Sequence, residues 1–331
     1  MTKILYYNID DDLGYENKLL KEWGVTDLEL IEIKDGEGTK NFVAHLNETK
    51  AEGLVVEYEK VTKEVMDACP ALKQVSLQSI GYNNVDIKAA TGYGISVTNI
   101  PGFCAEEVAV HTIGLMIDLV RKITFYDKKV REGKWDPLLG YKTYRMTGMT
   151  FGMVFFGEIP KQMVPVLTAL GLKILVYAPT KTKEFLAEYG CIKADTLEEL
   201  LKRSDFVSLH CPLIPDVTYH LIGEAELKKM KFTAYLLNTA RGSVVEEAAL
   251  VKALEQGWIK GAGIDVIEDE MNEKSELFKF NDNVVITPHA AFISEDSFYE
   301  GRSRALKQLV MRFSEKVRPS SLVNKDLIIN F

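Results

Sequence analysis

Short runs of aliphatic and β-branched residues alternate with amphipathic stretches of helical length along almost the whole chain. Lys3–Asn8, Gly53–Glu57, Val75–Gln78 and Ile95–Asn99 have strand patterns, and Asp12–Trp23 and Val61–Ala68 have helical ones. From Glu106 to Val130 the pattern changes to one long helix without an obvious break, followed by a polar loop over Glu132–Gly148. Alternation then resumes, with strands expected at Thr150–Phe156, Lys173–Tyr177, Phe206–Leu209, Ala234–Asn238, Ala262–Val266 and Val284–Thr287, and a helical tail over Ser294–Val317. Strands that alternate with helices predict β-α-β units and parallel sheets. The expected fold class is therefore α/β, with two doubly wound Rossmann-like or flavodoxin-like domains and a cleft between them. The first domain comprises residues 1–99 plus 297–331 and the second comprises 100–296, with the long helix bridging them.

The length of 331 residues agrees with two domains at roughly 100–200 residues each. Forty basic against forty-eight acidic side chains leave a net charge of −8, which disfavours nucleic acid and anionic membranes as partners. No apolar run reaches the ~18 residues of a membrane span, and the amino terminus has no signal-peptide pattern. Cys69, Cys104, Cys191 and Cys211 lack metal or disulfide spacing, so no metal is expected and a reduced, cytoplasmic protein is.

Three strand ends carry chemistry. Asn238-Thr239-Ala240-Arg241-Gly242 puts an arginine where ligands of open parallel sheets bind, and its planar fork suits a carboxylate. The alternative for Arg241 is a structural pairing with Glu246 or Glu247. Ala262–Val266 ends in Asp265 and is followed by Glu268, Asp269 and Glu270, which on their own describe a solvated loop. Val284–Thr287 runs into Pro288-His289-Ala290-Ala291-Phe292, and a histidine there suits general acid/base work or simple packing. Together the three ends form a set: an arginine to polarise a 2-oxo acid, a histidine to exchange the alcohol proton, and a carboxylate to tune that histidine.

Asn238–Gly242, Gly261–Glu270 and Thr287–Phe292 resemble the signature blocks of the D-isomer-specific 2-hydroxyacid dehydrogenases, of the D-lactate and 2-hydroxyisocaproate type. The resemblance extends to Ser79-Ile80-Gly81-Tyr82-Asn83-Asn84-Val85-Asp86, Val97–Phe103 and Leu209-His210-Cys211-Pro212-Leu213. It implies an oxidoreductase that transfers a hydride between NAD or NADP and a 2-oxo/2-hydroxy acid, as a homodimer. Arg241 would anchor the substrate, His289 would act as acid/base, and Glu270 would be its partner. Glu270 is preferred to Glu268 because the family places this acid 29 residues after the arginine. Ser79, Ile80, Gly81 and Phe103 would bind substrate, and Phe103 and Phe292 imply an apolar substituent on the acid. Gly157, Glu158, Ile159, Thr180, Cys211, Pro212, Thr239, Ala240, Asp265 and Ala291 would line the cofactor, with Asp265 on the nicotinamide carboxamide. His111, preceded by Val110, is expected to serve packing or dimer contacts, and His45 and His220 carry no assigned chemistry.

One block departs from the family. Where a G-x-G-x-x-G fingerprint belongs, the chain reads Phe155-x-Gly157-x-x-Pro160. Phe155 replaces the tight-turn glycine, Glu158 adds negative charge beside the pyrophosphate position, and Pro160 is acceptable as a first helical residue. Pro165 falls inside the following helix, at a cost of roughly 3 kcal/mol unless the backbone adapts. The ribose-binding acid is replaced by Ala178-Pro179 before Thr180, Lys181, Thr182 and Lys183, which is compatible with a 2′-phosphate. The alternative reading is a catalytically impaired homologue that has lost normal NAD binding and acts as a ligand-binding or regulatory protein.

Overall fold

The computed structural model describes residues 1–9, 12–35, 42–57, 59–140, 142–270 and 274–329. The chain divides into two compact units, Met1–Phe103 with Ser294–Phe331, and Cys104–Ile293.

The first unit contains five strands, β1 (Thr2–Tyr7), β2 (Leu28–Ile33), β3 (Gly53–Val56), β4 (Gln74–Leu77) and β5 (Ser96–Thr98). They pair in parallel in the order β2-β1-β3-β4-β5. Strand β1 explains the two-sided packing. Ile4 and Tyr6 enter one hydrophobic cluster, while Leu5 and Tyr7 enter the cluster on the opposite face. A strand covered on both faces has no polar positions to spare, hence its continuous apolar run. The helix α1 (Gly14–Glu22) and the carboxy-terminal helix α12 (Glu295–Phe313) are joined by a fully buried ion pair. In that pair Arg302 Nε donates to Glu16 Oε1 at 2.8 Å. Ser294 caps α12 by accepting from the Ser297 amide.

The second unit opens with α5 (Ala105–Arg121) and α6 (Ile123–Arg131). The expected single helix is thus broken. Lys122 takes a left-handed φ of +55°, and Asp118 captures the Thr124 amide at 2.8 Å, capping a second helix. A lysine carries no sequence signal for that conformation. Seven strands follow: β6 (Thr150–Val154), β7 (Lys173–Tyr177), β8 (Ile192–Lys193), β9 (Phe206–Leu209), β10 (Tyr235–Asn238), β11 (Gly261–Ile264) and β12 (Val284–Ile286). They form one parallel sheet in the order β12-β11-β10-β9-β6-β7-β8. The chain reverses direction across the sheet between β6 and β9, so the crevice beyond their carboxyl ends is the topological switch point.

Among the elements to which the sequence analysis gave no range are β2, β8 and α2 (Phe42–Thr49). Both strands are sheet edges, and β8 has only two residues, too few to carry a periodicity. Among the described residues no helix is long and apolar enough to cross a membrane.

Candidate active site

Strands β10, β11 and β12 are neighbours, and their carboxyl ends bring Arg241, Glu270 and His289 to one edge of the sheet. The turn after β10 is shaped by Asn238, whose Oδ1 accepts the Ala240 amide at 3.1 Å and whose Nδ2 donates to the Arg241 carbonyl at 3.0 Å. Arg241 does not pair with Glu246 or Glu247. One guanidinium nitrogen donates to the Ala240 carbonyl at 2.6 Å. Burial lowers the Arg241 pKa from its ordinary value, and the nearby Glu270 carboxylate opposes that shift.

Glu270 Oε2 lies 2.9 Å from His289 Nδ1. An ionised carboxylate only accepts, so Nδ1 carries the hydrogen and Nε2 is the free ring nitrogen. The two side chains are 44% and 40% exposed, which makes Nε2 accessible to a small molecule. The Phe292 ring meets the imidazole edge to face at 6.0 Å. Glu268, the rival acid, turns elsewhere and bonds His220.

Asp265 is 2% exposed, and both carboxylate oxygens are already engaged. Oδ1 accepts the Thr287 hydroxyl at 2.5 Å and the Ala290 amide at 2.9 Å, and Oδ2 accepts the Ala291 amide at 3.1 Å. His111 Nε2 lies 2.9 Å from the Thr287 hydroxyl, so His111 is part of this network rather than a plain packing contact. Its signal in sequence was absent, because the partner lies 176 residues away. Thr239, also buried, shares a hydrogen bond of 2.8 Å with Thr112 of α5.

The nucleotide side of the sheet is built on β6 and α7 (Glu158–Ala169). Phe155 adopts φ +72°, the conformation that a glycine would take without strain. Gly157 precedes the helix, and a Cβ placed there would meet nothing within 4 Å, so the backbone is open to close approach. Glu158 and Ile159 head the helix with amides that have no partner among the described residues. Pro160 is the third helical residue, not the first, and removes one donor from that group. The Glu158 carboxylate is taken by Lys161 at 2.7 Å, which offsets its charge, and α7 continues through Pro165. These residues fit a dinucleotide phosphate, with two helix-end amides as donors instead of three. Cys211, whose thiol burial pushes up to about 11, and Pro212 follow β9, and the exposed Thr180 follows β7. Ala291, like Asp265, lies beyond the ends of β11 and β12.

Ser79, Ile80, Gly81 and Phe103 belong to the first unit. There the Ser79 hydroxyl donates to the Gly81 carbonyl at 2.7 Å, and Asn99 donates to the Ile80 carbonyl at 2.8 Å. The carbonyls are thereby satisfied. The amides of Ile80 and Gly81 have no partner among the described residues, which presents two adjacent donors suited to a carboxylate.

Comparison with known proteins shows the family. Residues 113–291 match the D-isomer specific 2-hydroxyacid dehydrogenase, NAD binding domain. Glyoxylate reductase from Thermococcus litoralis is 41% identical, with 82% of each chain covered. A glyoxylate reductase from Paecilomyes thermophila is structurally similar with a TM-score of 0.86, at 26% identity over 97% of this chain and 98% of that one. D-Lactate dehydrogenase from Aquifex aeolicus, solved with NAD and lactic acid, gives a TM-score of 0.82 at 29% identity over 97% and 99%. The impaired, non-catalytic alternative is not supported by these comparisons. The chain belongs to the D-isomer-specific 2-hydroxyacid dehydrogenase family and is an oxidoreductase acting on the CH–OH group.

Proposed function

We propose that this protein reversibly reduces a 2-oxo acid to its D-2-hydroxy acid, with His289 as the proton-exchanging group and Arg241 as the substrate anchor. The observation that carries the reading is the 2.9 Å contact between His289 Nδ1 and Glu270 Oε2. It orients the ring, leaves Nε2 for the substrate oxygen, and stabilises the imidazolium that forms when the alcohol gives up its proton. The Arg241 guanidinium polarises the 2-oxo group, and the Ile80 and Gly81 amides bind the substrate carboxylate.

Bound over Gly157, Glu158, Ile159, Thr180, Cys211, Pro212, Thr239, Ala240, Asp265 and Ala291, NAD(P)H supplies the hydride. The end of β7 favours neither nucleotide by charge repulsion. Ala178 replaces an acid there, and Lys193 donates to the Lys181 carbonyl at 2.8 Å, which places basic side chains nearby. The Phe292 ring beside His289 favours an apolar substituent on the 2-oxo acid over a charged one.

A homodimer is part of the proposal. Ile123, Trp135, Leu138 and Tyr144, on α6 and the segment after it, are 56%, 87%, 69% and 54% exposed, an apolar surface that a second copy would cover. The four buried free thiols agree with a cytoplasmic, reducing setting.

The test is calorimetric titration with NADH and NADPH, followed by nucleotide oxidation at 340 nm with glyoxylate, pyruvate, 2-oxoisocaproate and 2-oxoglutarate. Micromolar nucleotide binding with turnover of the uncharged-side-chain acids is expected. No nucleotide binding at millimolar concentration would overturn the reading, and elution at the monomer mass would overturn the dimer.

A further inference from the structure

Two of the carboxylates in the loop after β11 face different partners. Glu270 meets His289, whereas Glu268 Oε1 lies 2.5 Å from Nε2 of His220. Glu268 Oε2 accepts the amide of Glu247, the first residue of α11 (Glu247–Glu255), at 3.2 Å. The Glu268 amide returns a bond to the Glu247 carboxylate at 3.1 Å, and the Ser275 hydroxyl donates to Glu247 Oε1 at 2.6 Å. Glu268 therefore sits at the positive end of a helix, with its carboxylate shared between the His220 ring and the Glu247 amide.

His220 also holds the turn that carries the arginine. Its amide donates to the Ser243 carbonyl at 2.8 Å, two residues past Arg241. Its φ is +49°, which a non-glycine residue keeps only when its surroundings hold it, and the Tyr219 ring stacks on the imidazole at 3.9 Å. Gly242 meets the same loop directly. A Cβ there would fall 1.7 Å from the Ile267 carbonyl oxygen and 2.7 Å from the Glu268 nitrogen. The Arg241 turn and the Glu270 loop are thus in backbone contact and are bridged by one histidine.

We infer that His220 and Glu268 are positioning residues that set Glu270 against His289, an inference that rests on the roles proposed above for Arg241, Glu270 and His289. The Glu270–His289 pair is about two-fifths exposed on each side, and a pair in that setting holds itself with little energy. Its geometry must come from the loop, and the Glu268 anchor lies two residues before Glu270. Removing that anchor lets the Glu270 carboxylate leave the imidazole without touching substrate or nucleotide contacts.

The experiment uses the full chain and the variants Glu268→Gln, His220→Ala and His220→Gln, each also combined with Glu270→Ala. Steady-state kinetics and amide hydrogen exchange over residues 265–270 are read. Glu268→Gln and His220→Ala should lower kcat roughly tenfold with the KM for nucleotide unchanged, and exchange in the loop should accelerate. His220→Gln, whose amide can still donate to Glu268, should recover most of the rate. In the Glu270→Ala background the Glu268→Gln effect should vanish, because the contact through which it acts is already gone. A loss that persists in that background, or unchanged rate and exchange in the single variants, overturns the inference. If the unmutated protein shows no turnover, the dehydrogenase reading fails instead, and the exchange data alone decide whether Glu268 and His220 hold the loop.

Discussion

The His289 amide donates to the Asp265 carbonyl at 2.7 Å, so the residue at the end of β11 fixes the backbone of the histidine at the end of β12. The next two amides, of Ala290 and Ala291, bond the Asp265 carboxylate. His289 itself is held at φ +53°, a conformation costing about 1 kcal/mol or more for a residue with a Cβ. Asp265 supplies the bonds that maintain it.

Asp265→Ala should therefore be among the most damaging substitutions outside the reacting groups. It orphans the Ala290 and Ala291 amides and leaves the Thr287 hydroxyl with His111 alone, and a loss of about 2–4 kcal/mol is expected. Urea unfolding measures it, and a loss below 1 kcal/mol would show that the turn holds without the carboxylate.

Replacing the histidine's partner separates orientation from chemistry. Glu270→Gln keeps a neutral acceptor near Nδ1 but removes the charge that stabilises the imidazolium, so kcat should fall by about 10- to 100-fold. His289→Ala removes the proton carrier and should cost about 10²- to 10⁴-fold. Nucleotide affinity, measured by fluorescence titration, should change little in either variant.

The strained residue in the nucleotide turn gives a prediction of opposite sign. Phe155→Gly relieves roughly 1–2 kcal/mol of backbone strain but gives up the ring's partial packing against the hydrophobic core of the second unit. Net stability should change by less than about 1 kcal/mol, with tighter nucleotide binding. Phe155→Val, β-branched at the same φ, should be clearly less stable than the glycine variant. Thermal melts with and without NADH distinguish the two.

His210 predicts a pH dependence. Its Nε2 lies 2.9 Å from the buried Ser208 hydroxyl, and burial lowers its pKa to about 3. The unfolded chain takes up this proton near pH 6.5 while the folded protein does not, so stability is lost as pH falls from 6.5 toward 3. The slope from this group approaches about 1.4 kcal/mol per pH unit well below pH 6.5. His210→Gln should flatten the curve below pH 6 relative to the unmutated protein.

Most of the strand-and-helix order was legible because buried parallel strands such as Lys173–Tyr177 and Phe206–Leu209 are short, mostly apolar runs. The break at Lys122 was not legible. It depends on Asp118 reaching the Thr124 amide, a local bond that leaves the helical periodicity on either side intact. The edge strands β2 and β8 escaped because an edge needs little burial. In the site, Arg241 and His289 could be proposed from their places at strand ends, whereas Glu270 was separated from Glu268 only by the resemblance to the family. His111 and His220 could not be proposed, since each is defined by a partner far away in the chain, Thr287 and Glu268.

The sequence by itself determined the two parallel sheets and the delivery of an arginine, an acid and a histidine to adjacent strand ends. Those follow from hydrophobic periodicity, which is local, and from the rule that parallel strands present their carboxyl ends together. Only the tertiary structure decided which acid meets which histidine: Glu270 with His289, Glu268 with His220, and Asp265 with the backbone of the 289–291 turn. Carboxylates one or two residues apart read alike in a chain, and they differ only once packing, including the close approach at Gly242, turns each toward a different donor.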